Sequence, residues 1–262
     1  MDLNLTGRHA LVCGASEGIG RAAAHELALL GASVTLLARR ADVLAEVMAA
    51  LPRTPGEQHH DGIAVDVADA APLQAKVSAL AAARPIHILV NNTGGPPGGR
   101  AIDAVADDYL AAFHRHLLAN QLLAQLTVPG MRAAGWRRII NVVSTSVKEP
   151  IANLGVSNTI RGAVASWAKT LSKELGAYGI TVNNVLPGYT RTGRLEQILR
   201  DRVQATGKDE AAVSAAMLAS VPAGRFAEAH EVAAAIAFLA TPAAGYVNGV
   251  SLAVDGGRMQ SI

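Results

Sequence analysis

Leu11-Val12-Cys13-Gly14-Ala15-Ser16-Glu17-Gly18-Ile19-Gly20 decides how this chain is read. It follows a short polar leader and precedes a helix-like run over 21–30. Gly14 suits a tight turn after a buried strand, Gly18 lets the backbone approach a ligand closely, and Gly20 lets the next helix pack near the strand. That helix points its free N–H groups and positive dipole end into the turn, an arrangement that favours a phosphate. The spacing is Gly-x-x-x-Gly-x-Gly rather than Gly-x-Gly-x-x-Gly, and a glycine cluster by itself also marks plain turns.

Outward from this turn the pattern alternates strand and helix. Strands are expected at 9–13, 33–38, 63–66, 86–91, 138–143, 180–186 and 250–254, and helices at 19–30, 42–51, 70–83, 103–134, 157–175 and 228–240. Pro129 is expected to bend or break the long helix. Ile160, Val164, Trp167, Leu171 and Leu175 form a 3.6-residue apolar stripe. Residues 190–224 are more polar and read as two short helices. Near-continuous apolar strands separated by helices imply parallel strands buried on both faces. The fold class is therefore α/β: a single domain over 1–262, built on a Rossmann-type doubly wound parallel sheet of about seven strands flanked by helices. The turns after the first, fourth, fifth and sixth strands are glycine-rich or polar, and all should open on the ligand-binding edge.

Half of the 262 residues are apolar and aromatics make up 3%, so the core must be packed closely from small side chains. The formal net charge is +2 with both signs scattered. Arg39-Arg40 and Arg137-Arg138 are too short to form a basic patch, and no nucleic-acid partner is expected. Cys13 is the one cysteine, which leaves no disulfide framework and no thiolate metal site. No metal is expected. Met1-Asp2-Leu3-Asn4 lacks a basic segment leading into an apolar one, and no apolar run reaches about 18 residues. The expectation is a soluble cytoplasmic protein with no membrane partner.

Together these features resemble the short-chain dehydrogenase/reductase family. The matching pieces are Gly14-x-x-x-Gly18-Ile19-Gly20, Asp66-Val67, Asn91-Asn92-Thr93-Gly94, Asn141-Val142-Val143-Ser144, Val182-Asn183-x-x-x-Pro187-Gly188 and Val254-Asp255-Gly256-Gly257. They follow the family's order and spacing over nearly the whole chain. The resemblance implies that the turn holding Gly14, Ser16, Glu17, Gly18, Ile19 and Gly20 seats a dinucleotide's pyrophosphate and ribose. It implies that Asp66 accepts from the adenine amino group, with Val67 offering a backbone contact. It implies that Asn92 and Gly94 line the adenosine ribose. Pro187, Gly188, Thr190 and Thr192 would then lie near the nicotinamide. An NAD site needs a carboxylate at the end of the second strand for the ribose 2′-OH. This chain has Ala38 and then Arg39, and a guanidinium can bind a 2′-phosphate. NADP(H) is therefore favoured over NAD(H), with Glu17 placing an opposing negative charge beside the phosphate turn.

The catalytic positions depart from the resemblance. The family expects Asn, Ser, Tyr and Lys, with Tyr-x-x-x-Lys on the helix after the fifth strand. Ser144 falls on the serine, Ser157 on the tyrosine, Arg161 on the lysine and His116 on the asparagine. A phenol, with a pKa near ~10, can be lowered by a neighbouring cation to act as acid or base. An aliphatic hydroxyl is a far weaker acid, and an arginine does not relay a proton. Arg161 can still bind ribose hydroxyls, a phosphate or a substrate carboxylate. Candidates to replace the phenol are His116, able to titrate near neutral pH, Lys148 in the turn after Ser144, and Tyr189 after Pro187-Gly188.

Two functions follow. The first is an NADP(H)-dependent oxidoreductase acting on a carbonyl or hydroxyl group. The overall resemblance to 3-oxoacyl-(acyl-carrier-protein) reductases makes a 3-oxoacyl thioester the first substrate to try. The second is a cofactor-binding protein with little or no catalysis, acting through binding or as a partner subunit. The resemblance also implies that 190–224 forms a lid over a small-molecule or acyl-thioester substrate. The arginines there (Arg191, Arg194, Arg200 and Arg202) either meet an acidic substrate or are solvated. The segments 228–240 and 250–254 resemble those that build family oligomers, so a homo-oligomer, a tetramer or a dimer, is expected.

Overall fold

The computed structural model describes residues 1–54 and 56–261; Pro55 and Ile262 lie outside the described residues. Seven strands form one parallel sheet: β1 (His9–Cys13), β2 (Ser33–Ala38), β3 (Asp61–Ala64), β4 (Ile88–Asn91), β5 (Arg137–Val142), β6 (Ile180–Pro187) and β7 (Ser251–Val254). Their order is β3-β2-β1-β4-β5-β6-β7, so the chain reverses direction across the sheet between β1 and β4. Alternation along each strand feeds two cores. Ala10, Val12, Ile88 and Val90 face α1 (Gly18–Leu29), α2 (Ala41–Ala49) and α9 (Ala229–Ala240). Leu11, Cys13 and Leu89 face α3 (Ala70–Ala83), α5 (Ala119–Ala134) and α6 (Gly155–Gly176). This is the doubly wound parallel sheet expected from the alternating pattern.

Three expectations are corrected. The third strand lies two residues earlier than 63–66. It is an edge strand, paired on one side with β2 from Thr35↔Asp61 to Ala38↔Ala64, so Asp61 and Gly62 need no apolar environment. The ladder ends where β2 ends, with Val65 N–H donating to Ala38 O at 2.8 Å. The long helix at 103–134 is interrupted, but not at Pro129. Pro129 lies inside α5, where Leu123, Ala124, Thr127 and Met131 keep a buried face continuous on both sides of it. The interruption falls instead at a π turn, His114–Leu118, between α4 (Ala106–Phe113) and α5. Finally, the helix expected at 157–175 begins at Gly155, so Ser157 and Arg161 lie within it on the buried face that also holds Ile160 and Val164.

Residues 190–224 do form two helices, α7 (Gly193–Thr206) and α8 (Glu210–Leu218), which share a small core of Leu195, Leu199, Val213, Met217 and Phe226. Among the described residues, no helix is long and apolar enough to cross a membrane.

A row of buried amides crosses the sheet. Asn91 Nδ2 donates to Asn141 Oδ1 at 2.8 Å, Asn141 Nδ2 donates to Asn184 Oδ1 at 3.1 Å, and Asn184 Nδ2 donates to Ser251 Oγ at 3.1 Å. These four residues are also register partners along β4, β5, β6 and β7. The three asparagines are at most 3% exposed. Asn141→Leu strands a donor on Asn91 and an acceptor on Asn184, and is expected to cost roughly 2–5 kcal/mol in urea unfolding. A loss below about 0.5 kcal/mol would show that the row contributes little.

Candidate functional site

The turns leaving β1, β4, β5 and β6 converge at the carboxyl edge of the sheet and line a cleft of about 660 Å³. Its floor at one end is the glycine turn. Gly14 and Gly18 have φ of +60° and +55°, the left-handed region that favours glycine. A Cβ on Gly20 would stand 2.1 Å from Gly14 O, so α1 can start this close to β1 only with glycine there. Gly20 thus supports the turn from behind, whereas Gly14, Ser16, Glu17, Gly18 and Ile19 line the cleft. Asn92 Nδ2 donates to both Cys13 O and Gly14 O at 3.3 Å and ties the β4 turn to the β1 turn. A Cβ on Gly14 would strike Asn92 O at 2.6 Å. The resulting cradle, open main chain at a helix start with no room for side chains, fits a pyrophosphate.

Arg39, Arg40, Asp66, Val67 and Gly94 line the same end. The Glu17 carboxylate, which the sequence sets against a phosphate, is engaged by Arg40 Nη2 at 3.2 Å. Arg39 makes no side-chain hydrogen bond or ion pair among the described residues. Asp66 lies in the turn after β3, where its Oδ1 accepts from Ala68 N–H at 2.9 Å. Across the cleft, Gly188 passes so close to the β7 exit that a Cβ would stand 2.7 Å from Asp255 Cα. Pro187, Thr190 and Thr192 continue that wall, and the Thr192 methyl lies 3.1 Å from the Cβ position of Gly18. The start of α7 therefore rests on the glycine turn.

At the far end stand Ser144, Ser157 and Arg161. Ser144 Oγ accepts from Ser146 N–H at 3.1 Å, which fixes the hydroxyl at the end of β5. Ser157 and Arg161 are set by the seating of α6: a Cβ on Gly155 would stand 2.4 Å from Ala101 N, so the helix start abuts the segment after the β4 turn. Arg161 is buried, with Nη1 donating to Val142 O at 2.9 Å and Nη2 to Thr93 O at 3.4 Å. Burial, and after it the charge of Arg194, pulls its guanidinium down to about 10, still protonated at neutral pH.

His116 does not titrate near neutral pH as expected. Burial first, then the charges of Arg161 and Arg115, push it down to about 2. It is 2% exposed, its Nδ1 lies 2.6 Å from Thr93 Oγ1, and its Nε2 is buried without a partner among the described residues. It lines a separate cavity of about 290 Å³ rather than the cleft. As a neutral group bonded to Thr93, it positions the β4 turn. Lys148 is exposed and outside the cleft lining. Tyr189 is inside it, packed edge-on against Phe226 with Arg258 4.8 Å over its ring.

Sequence reasoning missed Thr93, Gly95, Arg115 and Arg258 in this lining, and left Arg194 undecided. Arg194 Nη2 donates to Pro96 O at 2.7 Å, joining α7 to the β4 turn. Its place two residues after Thr192 was the available signal, since the glycine turn and the α7 start face each other. Arg115 stands next to His116, and Arg258 follows Asp255-Gly256-Gly257, so both adjoin motifs that had been found.

A parallel sheet in this order, with a glycine turn at the reversal of strand order, defines a Rossmann-type α/β protein. A family model described as enoyl-(acyl carrier protein) reductase matches residues 14–258. The chain is 33% identical over 258 residues to the 3-oxoacyl-[acyl-carrier-protein] reductase FabG of Vibrio harveyi, covering 97% of this chain and 98% of that one. Its structure is similar to L-sorbose reductase from Gluconobacter frateurii complexed with NADPH and L-sorbose, with a TM-score of 0.92, 30% identity and 100% of both chains covered. It is also similar to a variant of actinorhodin polyketide ketoreductase with NADPH, with a TM-score of 0.89, 28% identity and 97% and 98% covered. The chain belongs to the short-chain dehydrogenase/reductase family.

Proposed function

We propose that this chain is an NADP(H)-dependent oxidoreductase that reduces a ketone, with a 3-oxoacyl thioester as the first substrate to test. The observation that carries this reading is the continuous cleft joining the glycine turn to Ser144 and Ser157. Its support from relatives is the likeness to a 3-oxoacyl-[acyl-carrier-protein] reductase and to two reductases with NADPH. When bound, NADPH supplies the hydride to the carbonyl carbon. The glycine turn, with Ser16, Glu17 and Ile19 around it, seats the pyrophosphate. Asp66 and Val67 hold the adenine, and Asn92 and Gly94 its ribose. Pro187, Gly188, Thr190 and Thr192 orient the nicotinamide. Ser144 and Ser157 donate to the carbonyl oxygen as charge develops there. Helices α7 and α8 cover the substrate and keep water from it.

Arg39 faces the cofactor end uncommitted, while Arg40 neutralises Glu17. A 2′-phosphate therefore meets one free guanidinium. NADPH is expected to bind about tenfold or more tightly than NADH in cofactor-fluorescence titrations, and Arg39→Ser should bring the two within about threefold. Equal affinities in the parent protein would refute the preference.

Turnover is expected to be slow, because Ser157 and Arg161 stand where the family resemblance expects a phenol and a lysine. Absorbance of NADPH over a broad carbonyl panel at high protein concentration is the test. Ser157→Tyr combined with Arg161→Lys should raise turnover about a hundredfold, within the range that a positioned acid supplies. NADPH binding with no turnover in either protein would leave the cofactor-binding, non-catalytic reading standing.

We also infer a homo-oligomer, a tetramer first and a dimer second. Exposed apolar side chains cluster around α4 (Ile102, Val105, Leu110) and near β7 (Tyr246, Val250, Leu252). A monomer-sized mass in light scattering would overturn this.

A further inference from the structure

The far half of the cleft carries charge of one sign. A Cβ built on Gly95 would stand 3.7 Å from Arg161 Nη2 and 3.6 Å from Arg194 Nη2. The two guanidinium groups therefore lie no farther apart than those two distances combined. Arg161 is 9% exposed, and its bonds go to main-chain oxygens of Val142 and Thr93. Arg194 is half-buried and bonds to Pro96 O. Asp201 on α7 is the acid whose charge acts on Arg194, but it is engaged by Gln197 Nε2 at 2.7 Å and makes no ion pair with Arg194 among the described residues. Arg115 and Arg258 line the same cleft. Its two acidic lining residues, Glu17 and Asp66, belong to the other end, and Glu17 is already paired with Arg40.

Two permanent cations held together under cover, with neutral acceptors only, repel each other and leave a net positive charge facing the cavity. The nicotinamide ribose is a neutral diol and cannot balance it. A pyrophosphate seated on the glycine turn has its own N–H donors there. We propose that Arg161 and Arg194 together bind a carboxylate of the substrate across Gly95, so that the ketone reduced here is an oxo acid. A carboxylate taking one charge-assisted bond of about 2.8 Å from each guanidinium spans such a gap. The keto oxygen of the same molecule then faces Ser144 and Ser157. The assignment rests on the cleft being a hydride-transfer site and puts a free oxo acid in place of the thioester of that reading.

The test is calorimetric titration of the full chain, with NADP⁺ present and absent. The probes are 2-oxopentanoate, 4-oxopentanoate, their methyl esters, and the uncharged N-acetylcysteamine thioester of 3-oxobutanoate. At least one acid is expected to bind about tenfold or more tightly than its ester and than the thioester, the size of one charge-assisted pair. Arg194→Leu should reduce that preference to about twofold or less while NADPH affinity, read by cofactor fluorescence, changes by less than about threefold. Gly95→Val is the second variant. The contacts of a Cβ there are ordinary van der Waals distances, so the fold is kept while the space between the guanidinium groups is filled. It should reduce the preference likewise. Equal affinity for acids, esters and thioester, or no heat from either acid at any concentration reached, overturns the proposal. So does a preference that survives in both variants. If Arg194→Leu lowers NADPH affinity and leaves the preference intact, Arg194 serves the cofactor and the proposal fails. If the parent protein binds no NADPH, the oxidoreductase reading fails, and the titration without cofactor still decides the carboxylate.

Discussion

The hydrogen bonds from Asn91 to Asn141, from Asn141 to Asn184 and from Asn184 to Ser251 hold four strands at one level. Evenly spaced parallel ladders are repetitive, and a slip of one residue turns every side chain to the other face. A buried amide breaks that degeneracy, because it needs a polar partner opposite it, here another amide or the Ser251 hydroxyl. The turns of the site start within four residues of this row: Asn92 directly after Asn91, Ser144 three after Asn141, and Gly188 four after Asn184. Asn92 then passes the alignment on to β1 through Cys13 O and Gly14 O. The glycine turn and the Ser144 hydroxyl are thus set against each other by sheet register rather than by direct contact, while Ser157 is placed by the seating of α6.

Within that frame the two ends of the cleft differ electrostatically. At the glycine turn, acid and base are matched, Glu17 with Arg40, leaving Arg39 to the solvent. At the serine end the cations are unmatched, and a histidine near Arg161 and Arg115 is held neutral by burial first and then by the same field. His116 therefore contributes a hydrogen bond to Thr93 where the family resemblance expects an asparagine amide. Its imidazole is held uncharged by burial, and after that by the two neighbouring guanidinium charges.

The strands at 9–13 and 33–38 and the helix at 70–83 were legible to the residue, because apolar periodicity is strong where an element is buried against the sheet. β3 was legible only approximately. As an edge strand paired by main chain on one side, it tolerates Asp61 and Gly62, which no hydrophobic pattern marks. Pro129 misled because local chain preference yields to a face that stays buried on both sides. The glycine turn and the order of motifs were legible because they are contiguous in sequence. The arginine pair was not. Arg161 and Arg194 lie on different helices and meet only through the placement of α7, and the sign of a local field depends on which carboxylates are absent from a neighbourhood.

Gly155 adds a mechanical consequence. Its Cα hydrogen faces Ala101, with no space for even a methyl group between the start of α6 and the segment after the β4 turn. The main chains also bond there, Gly155 N–H to Gly99 O at 2.9 Å and Gly99 N–H to Asn153 O at 2.8 Å. Loop and helix are therefore one lever. Whatever displaces the segment around Gly99 acts on the start of α6 and so on Ser157, while Ser144 at the end of β5 and Arg161, bonded to Val142 O, are tied to the sheet. The spacing between the two hydroxyls is in this sense adjustable from the rim of the cleft, by a part of the chain that touches neither.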